Sequence, residues 1–290
     1  MTGVEVRVFD ASLGAEVRGV DLDRPITDAV RAHILELVAE HVLVVFRGHA
    51  APPANEAYVR FGERFGPLRA SVADLSRLRD HEDINLVSNT VEADGVTGTG
   101  GAGVIEWHAD MNFGVPATDY IALDAIELPS DGGTTKFTNL CRAFDALDRD
   151  VRAAAERAEV RYTFRPDLDY AKLSPEQLAS LPSVTHGLTQ RRAPGRRPSL
   201  WPNVGIFDGT VPDGDTDDGA ALLDACFAHA VSAEFVYEHH WEPGDLALWS
   251  NWCTFHRREP FDPDQRRVMR HLTISEGGPA ISETGTRPVR

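Results

Sequence analysis

The chain has 290 residues, 42% of them hydrophobic, enough for one large core or two small ones. A formal net charge of −16 and a pI near 5.1 argue against nucleic acid and anionic membranes as partners, because both need a basic surface. Cys141, Cys226 and Cys253 form neither a close metal-binding pair nor a disulfide framework, and no signal-like or membrane-spanning apolar run stands out, so a cytoplasmic protein is expected.

Residues 4–9 alternate as a strand, and 13–22 read as a turn and a strand. Thr27 is placed to cap a helix from Asp28 to about His41, with Val30, Ile34, Leu37 and Val38 at helical spacing. His41 to Arg47 reads as a buried strand, and Asn55 as the cap of a second helix ending near Phe65. Asp83 to Ser88 is another strand. Residues 91–103 are rich in Gly and Thr and lack the ending of a phosphate loop. They read as a mobile loop and a candidate lid; a plain flexible linker fits as well. Asp119 to Leu128, the turn Asp131-Gly132-Gly133 and Thr134 to Leu140 read as a hairpin. A helix follows from Phe144 to about Ala158, and Ser174-Pro175-Glu176 opens a short one. Residues 183–190 and 199–204 read as strands across a basic turn at 191–197. An acidic loop at 212–219 runs into a helix to Ala230, then strands at 235–241, 246–255 and 267–275, then a loose tail after Glu276. With no repeat and no long linker, residues 1–290 read as a single domain, mainly β with peripheral helices: a β sandwich or jelly roll.

The chemistry concentrates at Trp107-His108-Ala109-Asp110. In an extended segment His108 and Asp110 point to one side and Ala109 to the other. An imidazole and a carboxylate are two thirds of a facial metal site, which a distant His would complete, leaving three positions open as in non-haem Fe(II) oxygenases. A polar surface pair is the ordinary alternative for so short a motif. Of eleven His, the pair His239-His240 reads as a surface feature at a strand end. His256 ends the apolar run from Trp249 and is followed by Arg266-Arg267-Val268-Met269-Arg270-His271. Cations on the inner face of such a strand need an anion, and a guanidinium fork matches a carboxylate.

His108-X-Asp110, then His256, then Arg267 resembles the taurine dioxygenase-like (TauD/TfdA) family of Fe(II)/2-oxoglutarate dioxygenases. Leu13-Gly14-Ala15-Glu16-Val17 with Val20-Asp21-Leu22 is similar to its N-terminal signature, and Val42 to Arg47 to its following strand. Phe65-Gly66-Pro67-Leu68, Leu128 to Thr135, and Trp241-Glu242-Pro243-Gly244-Asp245 are similar to its next turn, its hairpin and the lead to its second His. The resemblance implies a double-stranded β-helix in which His108, Asp110 and His256 hold Fe(II), with 2-oxoglutarate as co-substrate and O2 as oxidant. It implies that Arg267 and Thr135 hold the distal carboxylate of 2-oxoglutarate, with Arg270 a further candidate. Hydroxylation of an unactivated C–H in a small organic molecule, with release of succinate and CO2, is the implied reaction, in a setting such as secondary metabolism. Desaturation, cyclisation and epimerisation use the same iron site. The family often forms dimers or tetramers.

Three departures bear on the substrate. Four residues after Arg267, where many members carry Arg, stands His271. Ser71 or a neighbour replaces a substrate-binding His, and Ser250 a frequent Asp. Ser71, Asn112, Trp201, Asn203, Phe207 and His271 are the candidate pocket residues. Two rivals remain: a zinc or nickel cupin-like enzyme, which does not explain Arg267 and Thr135, and a non-catalytic jelly-roll module, which would not need the complete triad.

Overall fold

The computed structural model describes residues 4–69, 76–93, 95–110, 118–164, 174, 176, 183–191, 197–205, 207–211, 216–275 and 287–288. Two sheets face each other as a jelly roll. The larger has ten strands. Its centre runs Leu43–Phe46, Leu246–Ser250, Tyr120–Glu127, Val268–Ile274, His81–Ser88. The smaller runs Val236–His239, Thr135–Asn139, Thr254–Arg258, Ile105–His108.

Strand alternation explains why both faces of the large sheet are apolar. Leu43, Val45, Ile121, Leu123, Ala247, Trp249 and Met269 point toward the small sheet, where they meet Phe137. Their neighbours Val44, Phe46, Ala122, Leu246, Leu248, Leu272 and Ile274 point the other way. There the helices Asp28–His41 and Asn55–Glu63 cover them with Ile34, Leu37, Val38, Tyr58 and Phe61. Thr27 caps the first helix, its Oγ1 accepting from Val30 N at 3.3 Å. A third apolar cluster holds Trp201, Trp252, Tyr162 and the inner side of the Thr216–Ala230 helix.

Several expectations need correction. Tyr120–Glu127 and Thr135–Asn139 do not form a hairpin: the turn at Gly132-Gly133 carries the chain from the large sheet to the small one. The 246–255 run is likewise two strands, Leu246–Ser250 and Thr254–Arg258, in different sheets. The helix expected over 144–158 is two, Leu140–Asp145 and Arg149–Ala155, followed by the strand Glu159–Phe164. Asn55 is the first residue of its helix rather than its cap, because its Oδ1 accepts from Arg270 Nη1 at 2.5 Å. His239 is fully buried, not a surface residue.

Residues 91–103 are bonded along much of their length. Val91 bridges Thr97, Gly98 N donates to Thr90 O at 3.0 Å, and Thr99–Gly100 pairs with His81–Ser88. The 174–177 helix start, the basic turn and the tail fall largely outside the described residues.

Candidate metal centre and anion pocket

Ile105–His108 pairs antiparallel with Thr254–Arg258, and the register sets His108 opposite His256. Their ring centroids are 4.1 Å apart. The strand ends at His108, so a turn rather than strand alternation brings Asp110 back beside them. His108 Nε2 is 3.5 Å from Asp110 Oδ1, and His256 Nε2 is 3.7 Å from Asp110 Oδ2. One ligand atom from each residue lies within 4.8 Å of the others, close enough for one metal ion.

The protonation states suit a cation. His108 Nδ1 is 2.6 Å from the Glu106 carbonyl. A carbonyl only accepts, so Nδ1 donates there, and Nε2 is the ring nitrogen turned toward Asp110. Burial, aided by neighbouring His108, pushes His256 down to about 3, so it is neutral at pH 7. Burial alone would raise Asp110, but the imidazoles of His256, His108 and His271 hold it well below the carboxylate range. Two imidazoles and a carboxylate are the donor set of a facial iron site.

Thr135 lies on the strand paired with that of His256, and Arg267 directly precedes the strand of His271. Arg267 is 1% exposed. Its Nε donates to Gly133 O at 3.1 Å, its backbone N–H donates to Asn89 Oδ1 at 3.0 Å, and its Nη1 is buried without a partner. Burial pushes this guanidinium down to about 9, and the charge of Arg258 adds to the shift. A Cβ on Gly133 would sit 3.1 Å from Arg267 Cδ, a tight contact, and φ there is +63°, which favours glycine. Two residues on, buried Thr135 accepts from Trp241 Nε1 at 2.9 Å, which leaves its own O–H to donate. A buried guanidinium with a free N–H and a hydroxyl with a free proton suit a carboxylate.

Arg258 shares the His256 face of its strand. It is 4% exposed, and its guanidinium donates to the carbonyls of Gly100, Gly101 and Gly103. Phe261 N takes the Ala102 carbonyl between them. This ties the Gly-rich segment to the metal strand.

Not every expected site residue faces the metal. Arg270 points to the helical side of the large sheet. It is ion-paired with Asp124, donates to Asn55 and Pro53 O, and lies over the Tyr58 ring. It is thus removed from the anion pocket. Arg266 is at the surface with Glu127 and Glu92. His271, of the same strand parity as Arg267, does reach the site: Nε2 is 3.3 Å from Asp110 Oδ2. Trp201 is fully buried against Trp252, centroids 4.9 Å apart, and Asn203 is fully buried with its amide on the Ala109 backbone. Asn203 thus braces the metal segment, and Trp201 belongs to the apolar cluster that includes Trp107 and Ala109. Ser71 and Asn112 lie outside the described residues, as does the side chain of Phe207. Sequence reasoning missed Trp241, Asn251 and Arg258. Trp241 and Asn251 stand in stretches already marked by motif and Arg258 two residues past His256, but nothing in the sequence says which carbonyl or hydroxyl each meets.

Among known proteins, the family model "Taurine catabolism dioxygenase TauD, TfdA family" matches residues 5–273. Pentalenolactone F synthase of Streptomyces arenae is 30% identical over 290 residues, covering 93% of this chain and 94% of its own. The alpha-ketoglutarate-dependent 2,4-dichlorophenoxyacetate dioxygenase of Cupriavidus pinatubonensis is 31% identical over 275 residues, covering 89% and 93%. The crystal structure of AAD-2 in complex with Mn(II) and N-oxalylglycine superposes with a TM-score of 0.77 at 25% identity, covering 97% of this chain and 100% of that one. Sequence, fold and donor set agree, and the chain belongs to the TauD/TfdA family of Fe(II)- and 2-oxoglutarate-dependent dioxygenases.

Proposed function

We propose that this dioxygenase hydroxylates an unactivated C–H of a small organic molecule, with His108, Asp110 and His256 holding the iron. Thr135 and Arg267 hold the distal carboxylate of 2-oxoglutarate. The observation that carries this reading is the pairing of the three-ligand cluster with the unpartnered Arg267 Nη1. When bound, iron, 2-oxoglutarate and O2 would supply the oxidising chemistry, one oxygen atom going to the substrate and the other to succinate as 2-oxoglutarate loses CO2. The chain's own residues position. Arg267 and Thr135 orient the co-substrate through its far end, and buried Trp249 and Phe137 pack beside His256 and keep water from that side. No side-chain acid or base is needed.

The substrate reading follows from His271. Arg270 is held by Asp124, so it does not replace the cation that many relatives carry four residues after Arg267. An imidazole at that place favours a weakly anionic or neutral group over a simple sulfonate. The name of the Streptomyces relative supports a natural-product intermediate as substrate. Organic acids, amino-acid derivatives and natural-product intermediates are therefore the panel to screen for substrate-triggered succinate, with mass spectrometry of the product. Gain of one oxygen atom is expected. Loss of two hydrogens without oxygen would overturn hydroxylation in favour of desaturation.

A further inference from the structure

Ala109 and Asp110 leave the small sheet. The last paired residue is His108, opposite His256, and among the described residues no strand continues the ladder. Their backbone groups are buried or nearly so and need partners. Two carboxamides supply all four bonds. Asn203 Oδ1 accepts from Ala109 N at 3.0 Å, and Asn203 Nδ2 donates to Ala109 O at 3.3 Å. Asn251 Oδ1 accepts from Asp110 N at 3.0 Å, and Asn251 Nδ2 donates to Asp110 O at 2.8 Å. Each side chain copies the two-point pairing that a neighbouring strand would give.

Both amides are themselves fixed. Asn203 is fully buried, its backbone N donating to Trp201 O at 3.1 Å. Its loop is pressed onto the metal strand: a Cβ on Gly205 would lie 1.7 Å from Trp107 O. Asn251 is 2% exposed, its backbone N donating to Asp119 O at 2.9 Å and its Nδ2 also reaching Thr118 O at 3.3 Å. It sits in the turn that opens the strand of His256. One residue thus ties the backbone of Asp110 to the origin of the second His.

We infer that Asn203 and Asn251 are positioning residues that clamp the Ala109–Asp110 backbone and so preset the carboxylate for the metal. This rests on Asp110 being a ligand. A pair of ordinary core hydrogen bonds would add stability alone; a clamp also sets metal affinity and ligand geometry.

The test uses Asn251→Asp and Asn203→Asp, which keep size and remove the two donors. Each full-length metal-free protein is titrated anaerobically with Co(II), read by the ligand-field absorption, and melted. The clamp predicts Co(II) affinity lowered about 10- to 100-fold with an altered absorption envelope, as for other groups that orient ligands. Lowered melting with unchanged affinity and spectrum would overturn it. Asn251→Ala, neutral and smaller, serves if the carboxylate variant fails to fold. Amide hydrogen exchange of Ala109 and Asp110 in metal-free wild type needs no variant. Slow exchange is expected, and fast exchange that slows only with Co(II) would overturn presetting. Wild type that binds no Co(II) would overturn the ligand assignment and the clamp together, whereas wild-type binding with undiminished variant binding overturns the clamp alone.

Discussion

His271 Nε2 reaches across the sandwich to within 3.3 Å of Asp110 Oδ2, so the large sheet holds the carboxylate that the small sheet carries. The other oxygen, Oδ1, faces His108 Nε2 at 3.5 Å. The triad is therefore built at the meeting of both sheets: the Glu106 carbonyl directs His108, His271 directs Asp110, and His256 is held by packing against Trp249 and Phe137.

Removing a ligand should remove the metal without removing the fold. His108→Ala or Asp110→Ala is expected to reduce Fe(II) binding and succinate formation to background. The melting transition should stay cooperative, because neither side chain belongs to an apolar cluster. Normal succinate release from either variant would contradict the ligand assignment.

Arg267→Ala removes the buried guanidinium that has a free Nη1. A charge-assisted bond contributes roughly 2–3 kcal/mol. The 2-oxoglutarate concentration for half saturation should rise by about 30- to 150-fold while Fe(II) affinity holds. Unchanged co-substrate saturation would show that another cation binds the carboxylate.

Trp241 acts through Thr135, so its effect is smaller. Trp241→Phe deletes the donor and frees the hydroxyl to turn. A loss of about 0.5–1.5 kcal/mol is expected, or about 2- to 12-fold in 2-oxoglutarate affinity, with metal affinity kept. Equilibrium titration of the metal-loaded protein measures both. Equal affinities for wild type and variant would remove Trp241 from the co-substrate site.

The Gly-rich segment is held by Arg258, which bonds three of its carbonyls. Arg258→Met leaves those carbonyls without a donor. Proteolysis within residues 95–103 should accelerate at least about tenfold, on the basis of ~1–3 kcal/mol for each buried group left unsatisfied. A variant as resistant as wild type would show that the segment is held by other bonds.

Acid should weaken the fold through His239. This imidazole is fully buried, with Nε2 3.2 Å from Asp245 Oδ2, and Arg47 Nε donates to Asp245 Oδ1 at 2.9 Å. Burial, opposed by Asp245, keeps its pKa below the ordinary 6.5. As pH falls below 6.5 the unfolded chain takes up the proton first, so stability is lost from there toward the folded value. The slope for one proton is at most about 1.4 kcal/mol per pH unit. Asp245, depressed below 3.8 by Arg47 and His239 against the effect of burial, adds a loss of the same sign only in stronger acid. Between pH 7 and 5, His239→Gln should lose less melting temperature than wild type. Equal losses would place the acid sensitivity elsewhere.

The strand pattern and His108-X-Asp110 were legible because alternation and short motifs are local; His256 and Arg267 stood out by their setting, and the role of Thr135 came from the family resemblance alone. Pairing was not legible. Asp131-Gly132-Gly133 has the composition of a hairpin turn, yet Tyr120–Glu127 and Thr135–Asn139 enter different sheets. Which sheet takes a strand depends on partners far along the chain. Arg270 could have been read better, since alternation puts it opposite Arg267 and His271 on its strand. Its partner Asp124 lies far away in sequence, and no spacing announces it. Asn203 was marked by position, but only the fold shows that its amide meets the Ala109 backbone.

We propose one interior that holds both iron and 2-oxoglutarate through His108, Asp110, His256, Thr135 and Arg267. Its most direct test is an anaerobic titration of the metal-free protein with Fe(II), then 2-oxoglutarate, watched for the weak visible metal-to-ligand charge-transfer band. The account predicts a band that appears only with both additions, vanishes in Asp110→Ala, and needs far more 2-oxoglutarate in Arg267→Ala. A folded, iron-loaded protein that shows no band, or a band indifferent to both substitutions, would contradict it.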